Sequence, residues 1–358
     1  MKKHLCLLFV LCLSICLFAL TGCGNDGQDN SADADSENFT INLTLADHLD
    51  ANHPYMKYAS VKFMDMVTER TDGKITFTHY PSLQAGEMKD HINMMQTGIV
   101  SMANSPAAIL SEQLPLSNVV NLPSWGLSTD KLAMAFYDLA TDETSALYKN
   151  DFEANGIKML FCGCFPYYQL QSNKPVETCD DFKNLIVRSP GGSMDLILEK
   201  LGSSVISVAP TELYEAMQRG TVDAMYSPQE SLIPQALNEV MTYSTGNLDL
   251  NSFIMMWDIS LDVWNTIPED LQQIMIECGK EVTESFSNDL IKEYDAAQAE
   301  LEAQGIKYTY FSDAELEKAH NLIASVSEEW KNTIDSKGLA GTETYDAFAK
   351  LVESYKNK

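Results

Sequence analysis

A chain of 358 residues has room for one large hydrophobic core or two moderate ones, which excludes a small stapled module. Its 24 Lys and Arg stand against 51 Asp and Glu, a formal charge of -27. Such a field repels phosphate backbones and anionic headgroups, so nucleic acid is excluded as a partner.

The N-terminus reads as a processing segment. Lys2 and Lys3 precede an apolar run from Leu5 to Leu20, which ends in Leu20-Thr21-Gly22-Cys23. This tetrapeptide resembles the bacterial lipobox, predicting a signal peptide over residues 1–22 and lipidation of Cys23. The apolar run is short for an uncleaved span. The polar, acidic stretch over residues 23–38 then predicts a flexible linker. Four cysteines fall in the export segment; Cys162, Cys164, Cys179 and Cys278 remain, without zinc-type spacing, and read as small core residues.

Ile41, Leu43 and Leu45 alternate with polar residues and predict a first strand. A helix from near Tyr55 follows, with Met56, Ala59, Phe63, Met66 and Val67 at helical spacing. Thr71 to Lys74 stops it before a strand over Ile75 to Tyr80. The alternation continues with a helix from Glu87 to Thr97, a strand Ile99 to Asn104, a helix Thr129 to Tyr148 and a strand Ile157 to Gly163. A second cycle has strands Leu185 to Ser189, Val205 to Val208 and Thr221 to Tyr226, with helices Ser193 to Leu201 and Pro210 to Arg219. This order predicts an α/β fold with mostly parallel sheets. Met95-Gln96-Thr97-Gly98 and Met217-Gln218-Arg219-Gly220 form a weak internal echo, as if two lobes shared one plan. From Pro268 to about Gln304 the pattern is helical, too long for an ordinary globular helix and without a strict heptad, which predicts a helix bridging two lobes. A strand Ile306 to Phe311 and two amphipathic helices separated near Gly338 to Gly341 complete the chain.

The chemistry concentrates in Leu185 to Gly192, LIVRSPGG. Arg188 is one of three arginines, with Arg70 and Arg219, and it closes an apolar strand. A guanidinium there calls for an anion, and its paired N–H donors fit a carboxylate. That carboxylate belongs either to a ligand or to an Asp or Glu of the chain. No nucleophile elbow, phosphate loop, dinucleotide fingerprint or HExxH helix appears, so catalysis has no template and no cofactor is implied. His48 and His53 read as loop or hinge residues, not as a metal pair.

Several segments resemble, in order, the solute-binding proteins of TRAP (tripartite ATP-independent periplasmic) transporters. They are Tyr80-Pro81-Ser82-Leu83-Gln84-Ala85-Gly86, Gln96-Thr97-Gly98, Leu122-Pro123, Ser172-Asn173-Lys174-Pro175-Val176, residues 181–190 around Arg188, residues 212–224 and residues 267–272. The resemblance implies a two-lobe, periplasmic-binding-protein-like α/β fold with a ligand cleft between lobes and a long helix bridging both. Lobe I would comprise residues 39–165 plus about 254–293, and lobe II residues 166–253 plus about 294–358. It implies that Arg188 grips a ligand carboxylate, that the partners are a small organic acid and the TRAP permease subunits, and that the protein works outside the cytoplasm, tethered by its N-terminal lipid. Ser227 stands where the family often has Asn, and Tyr167-Tyr168 stands where sialate-type members carry a second arginine, which implies a smaller or more apolar acid. With Arg188, the expected ligand set is Tyr167, Tyr168, Tyr226 and Ser227, faced by Trp257 and Asn104 or Ser105. A sensory module presenting the acid to a receptor and an exported enzyme are the alternative readings.

Overall fold

The computed structural model describes residues 37–165, 168–208 and 212–357. The signal peptide, Cys23 and Tyr167 therefore lie outside the described residues.

The first strand, β1 (Ile41–Ala46), buries Leu43 and Leu45. Pro54 opens the next helix and the His53 ring caps it, accepting the Tyr55 N–H at 3.3 Å. α1 (Pro54–Met56) passes through a π-turn (Lys57–Val61) into α2 (Lys62–Arg70), whose stripe of Met56, Ala59, Phe63 and Val67 is fully buried. β2 (Ile75–Tyr80), a short helix α3 (His91–Gln96) and β3 (Met102–Pro106) follow. α4 (Thr129–Thr141) ends seven residues earlier than its apolar pattern suggests. Asp142 leaves the helix and its carboxylate takes the Thr144 N–H and O–H at 2.9 and 2.7 Å, a local turn that competes with helical bonding.

β4 (Ile157–Phe165) ends the first run, and β5 (Tyr168–Ser172) opens the second sheet. Then come β6 (Ile186–Arg188), α5 (Ser193–Leu201), β7 (Ser204–Ile206), α6 (Leu213–Gln218), β8 (Ala224–Pro228) and β9 (Tyr243–Thr245). β10 (Phe253–Ser260) returns to the first sheet, followed by α7 (Leu261–Trp264), α8 (Glu269–Ala303), β11 (Lys307–Thr309), α9 (Asp313–Ile323), α10 (Val326–Ser336) and α11 (Gly341–Lys356). The strand orders are β2-β1-β3-β10-β4 and β11-β9-β5-β8-β6-β7. Each sheet is mainly parallel but carries one inserted strand antiparallel to both neighbours, β10 in the first and β5 in the second.

The internal echo has a structural counterpart. Thr97, Gly98, Ile99 and Val100 donate their N–H groups to Asn93, Met95, Met94 and Met94; Arg219, Gly220, Thr221 and Val222 donate theirs to Glu215, Met217, Ala216 and Ala216, the same pattern. Gly98 (φ +73°) and Gly220 (φ +70°) supply the left-handed residue that ends each helix. Each turn feeds a strand that finishes on Ser-Pro and pairs with the inserted antiparallel strand.

α8 has 35 residues, about 50 Å of helix. Its N-terminal half packs on β4, where Gly279 lies against the Leu160 carbonyl and Gly163 against the Phe286 ring. Its far end buries Leu301 in a cluster with Leu213, Met217, Val222 and Met225, beneath the second sheet. Polar clasps tie it to the α1–α2 segment: Tyr58 to Glu293, Lys62 to Asp289 at 3.3 Å, and Arg70 bidentate to Glu281 at 2.6 and 2.7 Å.

The tail forms three helices where the sequence predicts two. The extra break falls at Ala324 and Ser325, whose hydroxyl bonds Glu329 at 2.7 Å. Of these helices α9 and α10 pack on α5, while α11 packs on α4: Phe348 meets Phe136 edge-on at 6.3 Å, and the Tyr355 hydroxyl donates to Asp138 at 2.7 Å. An amphipathic helix follows whichever apolar stripe remains uncovered, and that stripe is on α4. Cys162, Cys164, Cys179 and Cys278 are buried and unbridged.

Candidate functional site

Arg188 ends β6, its backbone in register with Ile206 on one side and Met225 on the other. Arg70 and Arg219 each hold a glutamate, but among the described residues no carboxylate lies within ion-pair distance of Arg188. Its Nε donates to the Val208 carbonyl at 3.3 Å. Burial pushes its pKa down, opposed by Tyr168 and Asp195 nearby. The turn that follows needs both its glycines: a Cβ on Gly191 (φ +106°) would stand 2.8 Å from the Ala108 carbonyl, and one on Gly192 (φ +62°) 2.3 Å from Asn118 Oδ1. The arginine loop thus lies directly against the segment that follows β3.

Arg188 opens onto a cleft with about 650 Å³ of empty space, the solvent at its mouth included. Its wall is aromatic. Tyr55 meets Phe165 edge-on at 4.4 Å, Phe165 meets Phe253 at 5.5 Å, and Phe253 stacks on Tyr168 at 5.1 Å. Met88, Met225 and Met255 fill between the rings, and His48, Ser227, Ser231 and Gln235 add polar edges. Pro106 and Pro228, which end the two equivalent strands β3 and β8, both reach it. Arg188 is the only Lys or Arg among its described lining residues.

The residues expected from sequence separate into two groups. Arg188, Tyr168 and Ser227 come together on the cleft, with the buried Ser227 hydroxyl lacking a partner among the described residues. Tyr226 does not join them. Successive side chains on a strand face opposite ways, so with Met225 and Ser227 on the cleft Tyr226 turns behind it, edge-on to Tyr168 at 5.2 Å, and donates to Asn251 Oδ1 at 2.9 Å. Trp257 is displaced as well. Phe253 and Met255 on β10 reach the cleft, whereas Trp257 lies further into the first core, stacked on Phe161 at 5.0 Å and donating to Asp47 at 3.0 Å. Ser105 faces away, its hydroxyl on Asp258. Asn104 is fully buried behind the wall and touches the cleft indirectly, its amide 2.7 Å from His48 Nδ1.

His48, Tyr55, Phe165, Phe253 and Gln235 are lining residues that the sequence reasoning missed. The Ser-Pro repeat at the ends of β3 and β8 was a usable signal for the rim; for β10, buried along its whole length, there was none.

Two titratable groups at the cleft are held neutral. Burial lowers the His48 pKa to about 4. Burial raises that of Glu230, next to the lining residue Ser231, to about 8, against the weaker opposing pull of the Tyr55 hydroxyl that faces it. Below its ordinary value of 4.5 the glutamate is protonated in folded and unfolded chains alike and costs nothing. As pH rises through 4.5 toward 8 the unfolded chain ionises while the folded one resists, and stability falls. The cost at neutral pH is on the order of 3 kcal/mol. Glu230→Gln is therefore expected to stabilise the protein at pH 8 by more than it does at pH 4.5. Urea unfolding of both proteins at each pH checks this, and an equal effect at the two pH values would refute it.

Residues 45–333 match the sequence profile described as bacterial extracellular solute-binding protein, family 7. The C4-dicarboxylate-binding periplasmic protein of Rhodobacter capsulatus is 24% identical over 281 residues, 77% of this chain and 79% of that protein. A TRAP solute-binding protein from Rhodoferax ferrireducens, solved with copurified benzoate, superimposes with a TM-score of 0.80 at 16% identity, covering 89% of this chain and 99% of that one. One from Bordetella bronchiseptica, with bound (R)- and (S)-mandelate, gives 0.76 at 22% identity, covering 88% and 99%. The fold is thus the two-lobe fold of these binding proteins. By the match over most of its length, the chain belongs to family 7 of the bacterial extracellular solute-binding proteins, the TRAP solute-binding proteins, which bind solutes outside the cytoplasm and are not enzymes.

Proposed function

We propose that this protein captures a small, largely apolar organic acid by its carboxylate on Arg188 and delivers it to a TRAP permease. The observation that carries this reading is the cleft's charge pattern: a guanidinium with no carboxylate partner among the described residues, opening onto an aromatic chamber in which His48 is neutral. A bidentate carboxylate would supply the missing anion, and the faces of Tyr168 and Phe253 would cover the rest of the ligand. The related structures with benzoate and mandelate support an aryl carboxylate. Lobe I would comprise the first sheet with the first part of α8, and lobe II the second sheet with its far end. Cys23, once lipidated, would tether the protein to the outer face of the membrane through the linker.

Native mass spectrometry of the soluble form, begun after Cys23, is expected to show a copurified acid. Thermal shift with benzoate, mandelate, malate and galacturonate is then expected to favour the first two. A preference for malate or galacturonate would overturn the apolar assignment. Labelled fatty acid should enter the full-length protein in a bacterial host and fail to enter Cys23→Ser; equal labelling would refute the anchor.

A further inference from the structure

His48, just beyond the end of β1, stands where the chamber around Arg188 meets a mouth lined by Leu83, Glu87, Met88, Tyr214 and Leu237. It lines both spaces, as does Gln235 from the second sheet's side. Its protonation pattern follows from its neighbours. The Asn104 amide nitrogen lies 2.7 Å from His48 Nδ1 and 3.6 Å from the Met255 sulfur. An amide nitrogen only donates, so Nδ1 is the acceptor and the ring proton sits on Nε2. The Asn104 backbone is held in turn, its carbonyl 2.7 Å from His91 Nδ1. Burial keeps the His48 ring neutral at physiological pH. Among the described residues Nε2 has no hydrogen-bond partner, so the ring presents a fixed N–H donor where the two spaces meet.

We propose that His48 is a donor-only specificity contact: among the carboxylates held by Arg188, it selects those whose body carries an oxygen acceptor, such as an ether, carbonyl or hydroxyl, at the junction of chamber and mouth. This rests on the Arg188 reading. A donor left without a partner under a bound apolar ligand loses its water and gains nothing in return, which penalises acids lacking that oxygen. Asn104 is the positioning residue, since it fixes which ring nitrogen carries the proton. Gln235 can donate or accept and so adds affinity without the same one-way choice.

The test uses pairs of nearly equal shape, 3- and 4-methoxybenzoate against 3- and 4-ethylbenzoate, titrated calorimetrically into the full extracytoplasmic chain. In the wild type at least one methoxy acid is expected to bind about tenfold tighter than its ethyl counterpart. His48→Phe should bring that ratio to about one by strengthening the ethyl acid as well as weakening the methoxy one, and His48→Gln should restore part of it. Asn104→Leu should reduce the ratio while Arg188-dependent binding persists, an effect that loss of packing alone would not give. Equal binding of each pair by the wild type, or a ratio unchanged in His48→Phe, would overturn the role of His48 alone. Failure of all four acids to bind would overturn the aryl-carboxylate reading with it.

Discussion

Arg188→Ala is expected to lower affinity for the bound acid by two orders of magnitude or more and to leave the unliganded protein at least as stable as before. The two halves of that result have different causes. Removing one partner of a buried ion pair costs about 3 to 5 kcal/mol, roughly 150- to 5,000-fold in dissociation constant, because the other charge is left in a poor solvent. In the unliganded chain there is no such pair to break, since among the described residues Arg188 has no carboxylate partner and one hydrogen bond, to Val208. Removing a buried cation there relieves desolvation. A structural ion pair would behave oppositely, with a falling melting temperature and unchanged affinity. Arg188→Lys should lie between wild type and Ala, keeping the charge and losing the planar fork. Calorimetric titration with the copurified acid, beside thermal melts of the unliganded proteins, separates these outcomes; unchanged affinity in Arg188→Ala would remove the arginine from the site.

Gly279→Ala is expected to destabilise the protein by about 2 to 4 kcal/mol, against the sign that helix propensity alone would give. In an exposed helix the same change gains about 1 kcal/mol, because alanine restricts the unfolded chain and suits the helix. Here the added methyl would stand 2.2 Å from the Leu160 carbonyl oxygen, and backbone cannot swing aside as a flexible side chain does. α8 would have to lift from β4, and with it the Phe286 ring, which already fills the space over Gly163. Urea unfolding gives the answer directly. A variant as stable as the wild type would mean that α8 does not lie so close to the sheet.

How much could be read from the chain alone depended on whether the signal was local. Leu43 and Leu45 announce β1 because one face is buried and the other is not. Ser193 to Leu201 was readable to the residue, since glycine precedes the helix and Gly202 (φ +99°) ends it. β10 gave no alternation to read, being buried on both faces, and β5 is the same. Arg188 stood out for a physical reason, a charge in an apolar run. Its neighbours did not, because Phe253 and His48 reach it from distant parts of the chain that pairing, not spacing, brings close. Tyr226 and Ser227 show the cost of working without the strand's phase. Along β8 the two side chains leave opposite faces of the strand, and the register of β8 against β5 and β6 determines which of them lies on the cleft.

The position of β10 has a consequence for how the molecule is made. Among the described residues β4 has no strand neighbour except β10, and β10 is what joins it to β3. A nascent chain that has emerged as far as Phe165 therefore holds a strand, apolar but for Lys158, with nothing to pair with, and it stays so until Ser260 has left the ribosome. In the second sheet β9 gains its outer neighbour β11 only after all of α8 has been synthesised. Long-range pairings of this kind fold slowly and leave sticky edges exposed meanwhile. Neither half can be cut out and expected to fold by itself, and a chain truncated before β10 should need a chaperone to remain in solution.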